Sequence, residues 1–210
     1  MTKVKICGIT TVEDALMAIE AGADALGFVF YDKSPRNIIP ERAAEIIGSL
    51  PPFIHVVGLF VHAHLDFVNA TADRCRLDIV QLHGDESREF CSQVNRRVIK
   101  AFRVKDITSL DRMEEYRVAG YLLDAYSPKA FGGTGITFNW DTAVVAKKFG
   151  PIILAGGLTP DNVAEAIGHV SPYGVDVSSG VESAPGVKDP AKVREFIKRA
   201  KGCKMIEENK

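Results

Sequence analysis

The stretch HVVGLFVHAHLDFVNATADRCRLDIVQLH (His55–His83) reads as strand, helix, strand. HVVGLF (His55–Phe60) and DIVQLH (Asp78–His83) are short apolar runs rich in β-branched residues. Between them Leu65, Val68, Ala72 and Cys75 recur at helical spacing and form one apolar stripe. A helical crossover of this length joins parallel strands, so the stretch is one βαβ unit.

The pattern repeats outward in both directions. Toward the N-terminus lie ALGFVF (Ala25–Phe30) and VKIC (Val4–Cys7). Toward the C-terminus lie RVIKAF (Arg97–Phe102), GYLLDA (Gly120–Ala125), PIILAG (Pro151–Gly156) and YGVDVS (Tyr173–Ser178), which makes eight runs in all. Amphipathic stretches separate them. Val12, Ala15, Leu16 and Ile19 mark a helix that Thr10 and Glu13 cap as a capping box and Gly22 ends. Thr159 and Pro160 start another, ended by Gly168. Asp189 and Pro190 start the last, with Val193, Phe196 and Ile197 on its buried face. Between Arg97–Phe102 and Gly120–Ala125 only Leu110 and Met113 offer apolar anchors. Eight strands alternating with helices predict an α/β fold, a single-domain (β/α)8 TIM barrel over residues 1–202, with a polar C-terminal tail at 203–210.

The chain of 210 residues fits one domain. Its 46% hydrophobic and 25% charged content is that of an ordinary globular protein and excludes intrinsic disorder. Lys plus Arg (26) and Asp plus Glu (27) balance to a net charge of -1, which argues for no nucleic acid partner. No apolar stretch approaches the roughly 18 residues of a membrane span and no signal peptide is evident, so the expected location is cytoplasmic, with no membrane association. Cys7, Cys75, Cys91 and Cys203 form no CxxC motif, and a disulfide framework is not expected in a reducing compartment. Cys75 and Cys91 fall on apolar helix stripes as core residues. No exposed apolar stripe decides between monomer and homodimer.

Side chains alternate along a strand. Polar residues on these apolar strands should point inward or lie near the strand end, because the helix interface is dry. Lys5 and Cys7 share one face of the first strand, Gln81 and His83 one face of the fourth, and Asp176 and Ser178 one face of the eighth. Asp124 ends the sixth. These positions gather at the C-terminal ends of the strands, where barrels of this kind carry their active sites. Cys7 is either a small core residue or a thiolate base, which the neighbouring Lys5 or a helix dipole would favour. Asp124 serves either as an acid or as a cap of the following turn. Gln81 and His83 form either a satisfied polar layer or part of the site, and Asp176 is either a structural acceptor or a ligand group.

Two glycine-bearing segments, LAGGLTPDNV (Leu154–Val163) and DVSSGVE (Asp176–Glu182), follow the last two strands. Barrels often bind phosphate there, through backbone N–H groups that glycine leaves open. The segment Tyr126–Trp140, with Gly132, Gly133 and Gly135, reads as a lid or as a plain connection. Arg36, after the second strand, suits bidentate capture of a carboxylate. His62 and His64 lack the partners of a metal site, and no metal is expected. His83 has no serine at a diagnostic spacing for a hydrolase triad.

The fragments VKICGIT (Val4–Thr10), DALGFVF (Asp24–Phe30), SPR (Ser34–Arg36), VGLFV (Val57–Val61) and VQLHGDE (Val80–Glu86) resemble the phosphoribosylanthranilate isomerase family. LLDA (Leu122–Ala125), FGGTG (Phe131–Gly135), ILAGGL (Ile153–Leu158), DVSSGVE and PGVKD (Pro185–Asp189) continue the resemblance in order along nearly the whole chain. The resemblance implies an Amadori rearrangement in tryptophan biosynthesis, from N-(5-phosphoribosyl)anthranilate to 1-(2-carboxyphenylamino)-1-deoxyribulose 5-phosphate. It implies no cofactor and a small phosphorylated substrate. It also implies Cys7 as general base, Asp124 as general acid and Arg36 on the anthranilate carboxylate. Asp176 would touch the substrate, and Gly156, Gly157, Ser178, Ser179 and Gly180 would surround the phosphate. Asp124 must then carry its proton when substrate arrives and Cys7 must be ionised, the reverse of their ordinary states at neutral pH. Other phosphate-binding barrels fit less well, and a mere sensor of the metabolite would need no proton-transfer pair.

Overall fold

Eight parallel strands pair in sequence order and close on themselves, β8 beside β1. They are β1 (Lys3–Cys7), β2 (Ala25–Phe30), β3 (His55–Phe60), β4 (Ile79–Leu82), β5 (Arg97–Val104), β6 (Gly120–Ala125), β7 (Ile152–Leu154) and β8 (Gly174–Val177). Each expected strand is present, with ends shifted by a residue or two. This computed structural model describes residues 1–125 and 139–202. The lid reading of the glycine-rich segment, except for its last two residues, and the tail at 203–210 with Cys203 fall outside the described residues.

The helices α1 (Val12–Glu20), α2 (Pro40–Gly48), α3 (Leu65–Arg74), α4 (Arg88–Ser92), α5 (Asp141–Ala146), α6 (Val163–Val170) and α7 (Pro190–Gly202) follow strands β1 to β4 and β6 to β8. Two short 3-10 turns, Ile107–Leu110 and Met113–Glu115, replace a helix between β5 and β6, and their buried Leu110 and Met113 are the two anchors expected there. A small antiparallel hairpin, β9 (Glu182–Ala184) with β10 (Val187–Lys188), precedes α7 and has no counterpart in the hydrophobic pattern.

Some helix ends differ from expectation. The cap of α1 is Thr11, whose hydroxyl accepts from the Asp14 N–H, while the Thr10 hydroxyl donates to the Gly186 carbonyl. The hydroxyl one residue closer to the helix meets its free N–H groups, and Thr10 is drawn off to the hairpin. Helix α6 begins at Val163 after an Asn162 cap, not at Pro160, and runs through Gly168 to a left-handed Ser171. In α7 the Asp189 carboxylate accepts from the N–H groups of Ala191 and Lys192, and Val193, Phe196 and Ile197 are buried, as expected.

The period-two alternation sorts the core. Val4, Ile6, Val80, Leu82, Val175 and Val177 join the large cluster between strands and helices. The barrel interior holds two smaller clusters. One is Ile99, Ala101, Leu122, Ile153 and Ala155, and the other is Cys7, Val29, Leu59 and Val61. Lys5, Gln81, His83, Asp124 and Asp176 are buried as well, on the inward parity of their strands.

Candidate active site

Position along β1 and β8 brings Lys5 and Asp176 into register, and the Lys5 ammonium donates to Asp176 Oδ1 at 2.9 Å. The Lys5 ammonium also stands beside the Cys7 thiol, two residues along the same inward face. Gly27 on β2 makes room for both: a Cβ there would lie 2.8 Å from Cys7 Sγ and 3.0 Å from Lys5 Nζ. Burial works against the Lys5 charge, yet Asp176 and Cys7 hold its ammonium above the ordinary lysine range. Burial pushes the Cys7 thiol up, and the pull of Lys5 and Lys188 does not overcome it, because Asp176 opposes them. The expected lowering of this thiol is therefore corrected. The ammonium is beside it, but the thiol is fully buried and the ammonium is paired with a carboxylate.

Across the barrel, Gln81 Nε2 lies 2.9 Å from His83 Nδ1, and His83 Nε2 lies 3.1 Å from Asp124 Oδ2. All three side chains are buried. Asp124 therefore does not cap a turn through Oδ2, and Gln81 and His83 belong to its surroundings. A buried ion pair supports the loop that follows β4. Lys100 donates to Glu86 Oε2 at 3.1 Å and to the Gly84 carbonyl at 2.6 Å, while Glu86 Oε1 accepts from the His62 N–H at 2.9 Å.

Arg36 reaches the mouth from the loop after β2, but its Nε and Nη2 already donate to Glu182, at 2.8 and 2.7 Å. That two-pronged edge is the one best shaped for a ligand carboxylate, so the expected bidentate grip is limited to the opposite, Nη1 side. Glu182 also accepts from Lys188 at 2.8 Å, and Lys188 donates to the Cys7 carbonyl at 2.6 Å. Burial alone would raise the Glu182 carboxyl, but Arg36 and Lys188 hold it below the usual carboxylate range. The cluster ties the Arg36 loop, the hairpin and the end of β1 together.

The loops after β7 and β8 pack against each other at glycines. At Gly180 a Cβ would collide with the Leu158 carbonyl oxygen. At Gly156, where φ is +79°, it would collide with the Ala125 nitrogen and lie 2.8 Å from Asp124 Oδ1. Among the described residues the N–H groups of Gly157 and Ser179 meet no acceptor. Ser178 Oγ and Gln81 Oε1 are buried without a hydrogen-bond partner. Buried polar atoms of this kind are rare and call for an explanation, of which a ligand is one.

The family model of N-(5'-phosphoribosyl)anthranilate (PRA) isomerase matches residues 4–199. This chain belongs to that family. An N-(5'-phosphoribosyl)anthranilate isomerase of Geotalea uraniireducens is 99% identical over 202 residues, 96% of this chain and all of that protein. The crystal structure of the phosphoribosyl anthranilate isomerase of Thermotoga maritima superposes with a TM-score of 0.91 at 45% identity, covering 96% of this chain and all of that one. A further isomerase structure, solved with reduced 1-(o-carboxyphenylamino)-1-deoxyribulose 5-phosphate bound, gives 0.88 at 44% identity over the same shares of the two chains. The activity is thus the isomerisation of phosphoribosylanthranilate in tryptophan biosynthesis, an intramolecular aldose–ketose rearrangement.

For an isomerase of this family the fold gathers Cys7, Asp124, Asp176 and Ser178 on the inner wall at one end, with Arg36 and the two glycine loops above them. Sequence reasoning assigned no role to Glu182, Lys188 or Gly27. Glu182 and Lys188 stood within the quoted DVSSGVE and PGVKD fragments, and two opposite charges six residues apart across Pro185 and Gly186 were the available signal.

Proposed function

We propose that this chain carries out its rearrangement by two proton transfers, with Asp124 as general acid and Cys7 as general base. Asp124 gives its proton to the furanose ring oxygen as the bond from C1′ to that oxygen breaks, leaving a Schiff base. The Cys7 thiolate then takes the proton from C2′, and the resulting enolamine tautomerises to the ketone. Both steps need groups held within hydrogen-bond reach of the substrate. They need neither a metal nor a redox cofactor.

The observation that carries this reading is placement. Cys7 at the end of β1 and Asp124 near the end of β6 are both buried on the inward parity of a closed barrel, at its C-terminal face. Lys5 stands beside the thiol, so the thiolate forms next to a cation. Arg36 offers its Nη1 side to the anthranilate carboxylate. The backbone of Gly156, Gly157, Ser179 and Gly180, together with the Ser178 hydroxyl, receives the phosphate. Asp176 orients Lys5 and reaches the substrate from β8. Such a partner is a small phosphorylated molecule handled in the cytoplasm, and the even charge balance gives no sign of the basic face that a nucleic-acid binder carries. No described helix is long and apolar enough to cross a membrane.

The test follows the anthranilate fluorescence of substrate generated in situ, with wild type, Cys7→Ala and Asp124→Asn side by side and no metal added. Turnover by wild type and its loss in both variants is the expected result. Full activity in either variant removes that residue from the mechanism.

A further inference from the structure

We propose that Gln81 and His83 are a positioning pair for Asp124, which decides which carboxyl oxygen exchanges the proton. The inference rests on the reading of Asp124 as the general acid. A neutral imidazole has one nitrogen that donates and one that accepts. The Gln81 Nε2 group that faces His83 Nδ1 at 2.9 Å can only donate. With the amide turned this way and the ring neutral, Nδ1 is the acceptor and the ring proton sits on Nε2, 3.1 Å from Asp124 Oδ2. That oxygen is anchored. The other, Oδ1, faces Gly156, where the loop after β7 begins and where a Cβ would lie 2.8 Å from it. On the protonated acid the transferable hydrogen is then on Oδ1. When it leaves, Oδ2 keeps its donor, and a bond that was neutral becomes charge-assisted and roughly twice as strong. His83 thus stabilises the carboxylate as it forms more than the acid beforehand, which is the kind of contact that raises rate.

The barrel is built to allow this reach. His83, just past the end of β4, and Asp124 on β6 are separated by β5. Gln81 pairs with Ile99 and Leu82 with Lys100, so one further step sets His83 level with Ala101. Ala101 faces the interior, and its methyl is short enough for the imidazole to pass over β5 to β6. The Lys100–Glu86 pair on the helix side of β5 fixes the Gly84 carbonyl and so the chain just beyond His83.

Nitrogen-15 NMR of labelled histidine in the ligand-free enzyme reads the tautomer without reference to activity. A neutral His83 with its proton on Nε2 is expected, and a proton on Nδ1 overturns the proposal. In kinetics, His83→Phe should lower kcat about 10- to 100-fold, the cost of losing one hydrogen bond to a charged group, with KM nearly unchanged. His83→Asn, which keeps an N–H donor, should recover part of that loss. Ala101→Leu, which blocks the path and leaves every polar group in place, should lower kcat as His83→Phe does. Unchanged kcat in both His83→Phe and Ala101→Leu overturns the pair. Full activity in Asp124→Asn with the Nε2 proton present defeats the acid assignment instead, and so separates the two failures.

Discussion

Replacing Lys5 by Met tests whether the ion pair with Asp176 supports the fold, the thiolate or both. The two groups meet at 2.9 Å, and their side chains are only 6% and 10% exposed. Removing the ammonium leaves the Asp176 carboxylate buried and unpaired, which costs about 3–5 kcal/mol. A domain of this size has roughly 5–15 kcal/mol in hand, so the variant should still fold. At about 2–4 °C per kcal/mol, Tm should drop by about 6–20 °C. Adding Asp176→Asn removes the stranded charge, and the double variant should regain a large part of that stability. The chemistry should not follow, because Cys7 has lost the cation that favours its ionised form. Iodoacetamide alkylation of Cys7 against pH reads this directly. The wild-type midpoint should lie above the ordinary thiol value of 9.0, since burial dominates, and Lys5→Met should move it further up. Differential scanning calorimetry on the single and double variants closes the cycle. If Lys5→Met costs under about 1 kcal/mol, or the double variant is no more stable than the single, the pair is worth no more than a surface bridge and the reasoning fails.

Gly180→Ala forces a Cβ against the Leu158 carbonyl and should cost about 1–3 kcal/mol. It should weaken inhibition by inorganic phosphate, and unaltered inhibition would detach this loop from phosphate binding. Glu182→Gln strips the counter-charge from Arg36 and Lys188 and should raise KM more than it lowers kcat, by loosening Arg36; steady-state kinetics with KM unchanged would refute that. The same carboxyl, held low in the folded state, contributes stability that is present above its unfolded value of 4.5 and is lost as pH falls through its lower folded value. Urea unfolding between about pH 5 and pH 2 should therefore show a shallower decline in Glu182→Gln than in wild type.

Strand faces are largely legible because the dry helix interface forbids unpaired polar groups; Lys100 departs from the rule, turned to the helix side of β5 where Glu86 and the Leu82 and Gly84 carbonyls pair it. That rule placed Lys5, Cys7, Gln81, His83, Asp124 and Asp176 on the correct wall. Caps were read less well. Thr10 and Thr11 are both competent, and only the tertiary bond from Thr10 to the Gly186 carbonyl separates them. The hairpin Glu182–Ala184 with Val187–Lys188 is too short to leave a period in the sequence, and with it the clamp on Arg36 stayed hidden. The direction of the Cys7 shift was misjudged for a related reason. A neighbouring lysine is visible in sequence, but the full burial of the thiol, which is the larger effect, is not, nor is the carboxylate that shares the lysine from β8, 171 residues away.

Buried charge is concentrated at one end of this barrel. Two separate buried pairs, Lys188–Glu182 and Lys100–Glu86, lie beyond the C-terminal ends of β1 and β4, and Lys5, Asp176 and Asp124 lie within that half of the interior. At the opposite end the His55–Asp78 pair is largely solvated and the Lys3–Asp24 pair partly so. Exposed pairs contribute about 0–1 kcal/mol each, so that end is held by its apolar packing. Buried pairs give no better return, since well-packed hydrophobic replacements are often neutral or stabilising by about 1–4 kcal/mol. Stability alone would therefore favour apolar side chains at both ends. The three polar systems Lys5–Asp176, Gln81–His83–Asp124 and Arg36–Glu182–Lys188 are better explained by what they orient: a thiol, an acid and a carboxylate receptor. Each links segments far apart in sequence, so no single strand or loop can shift without disturbing a group the reaction uses.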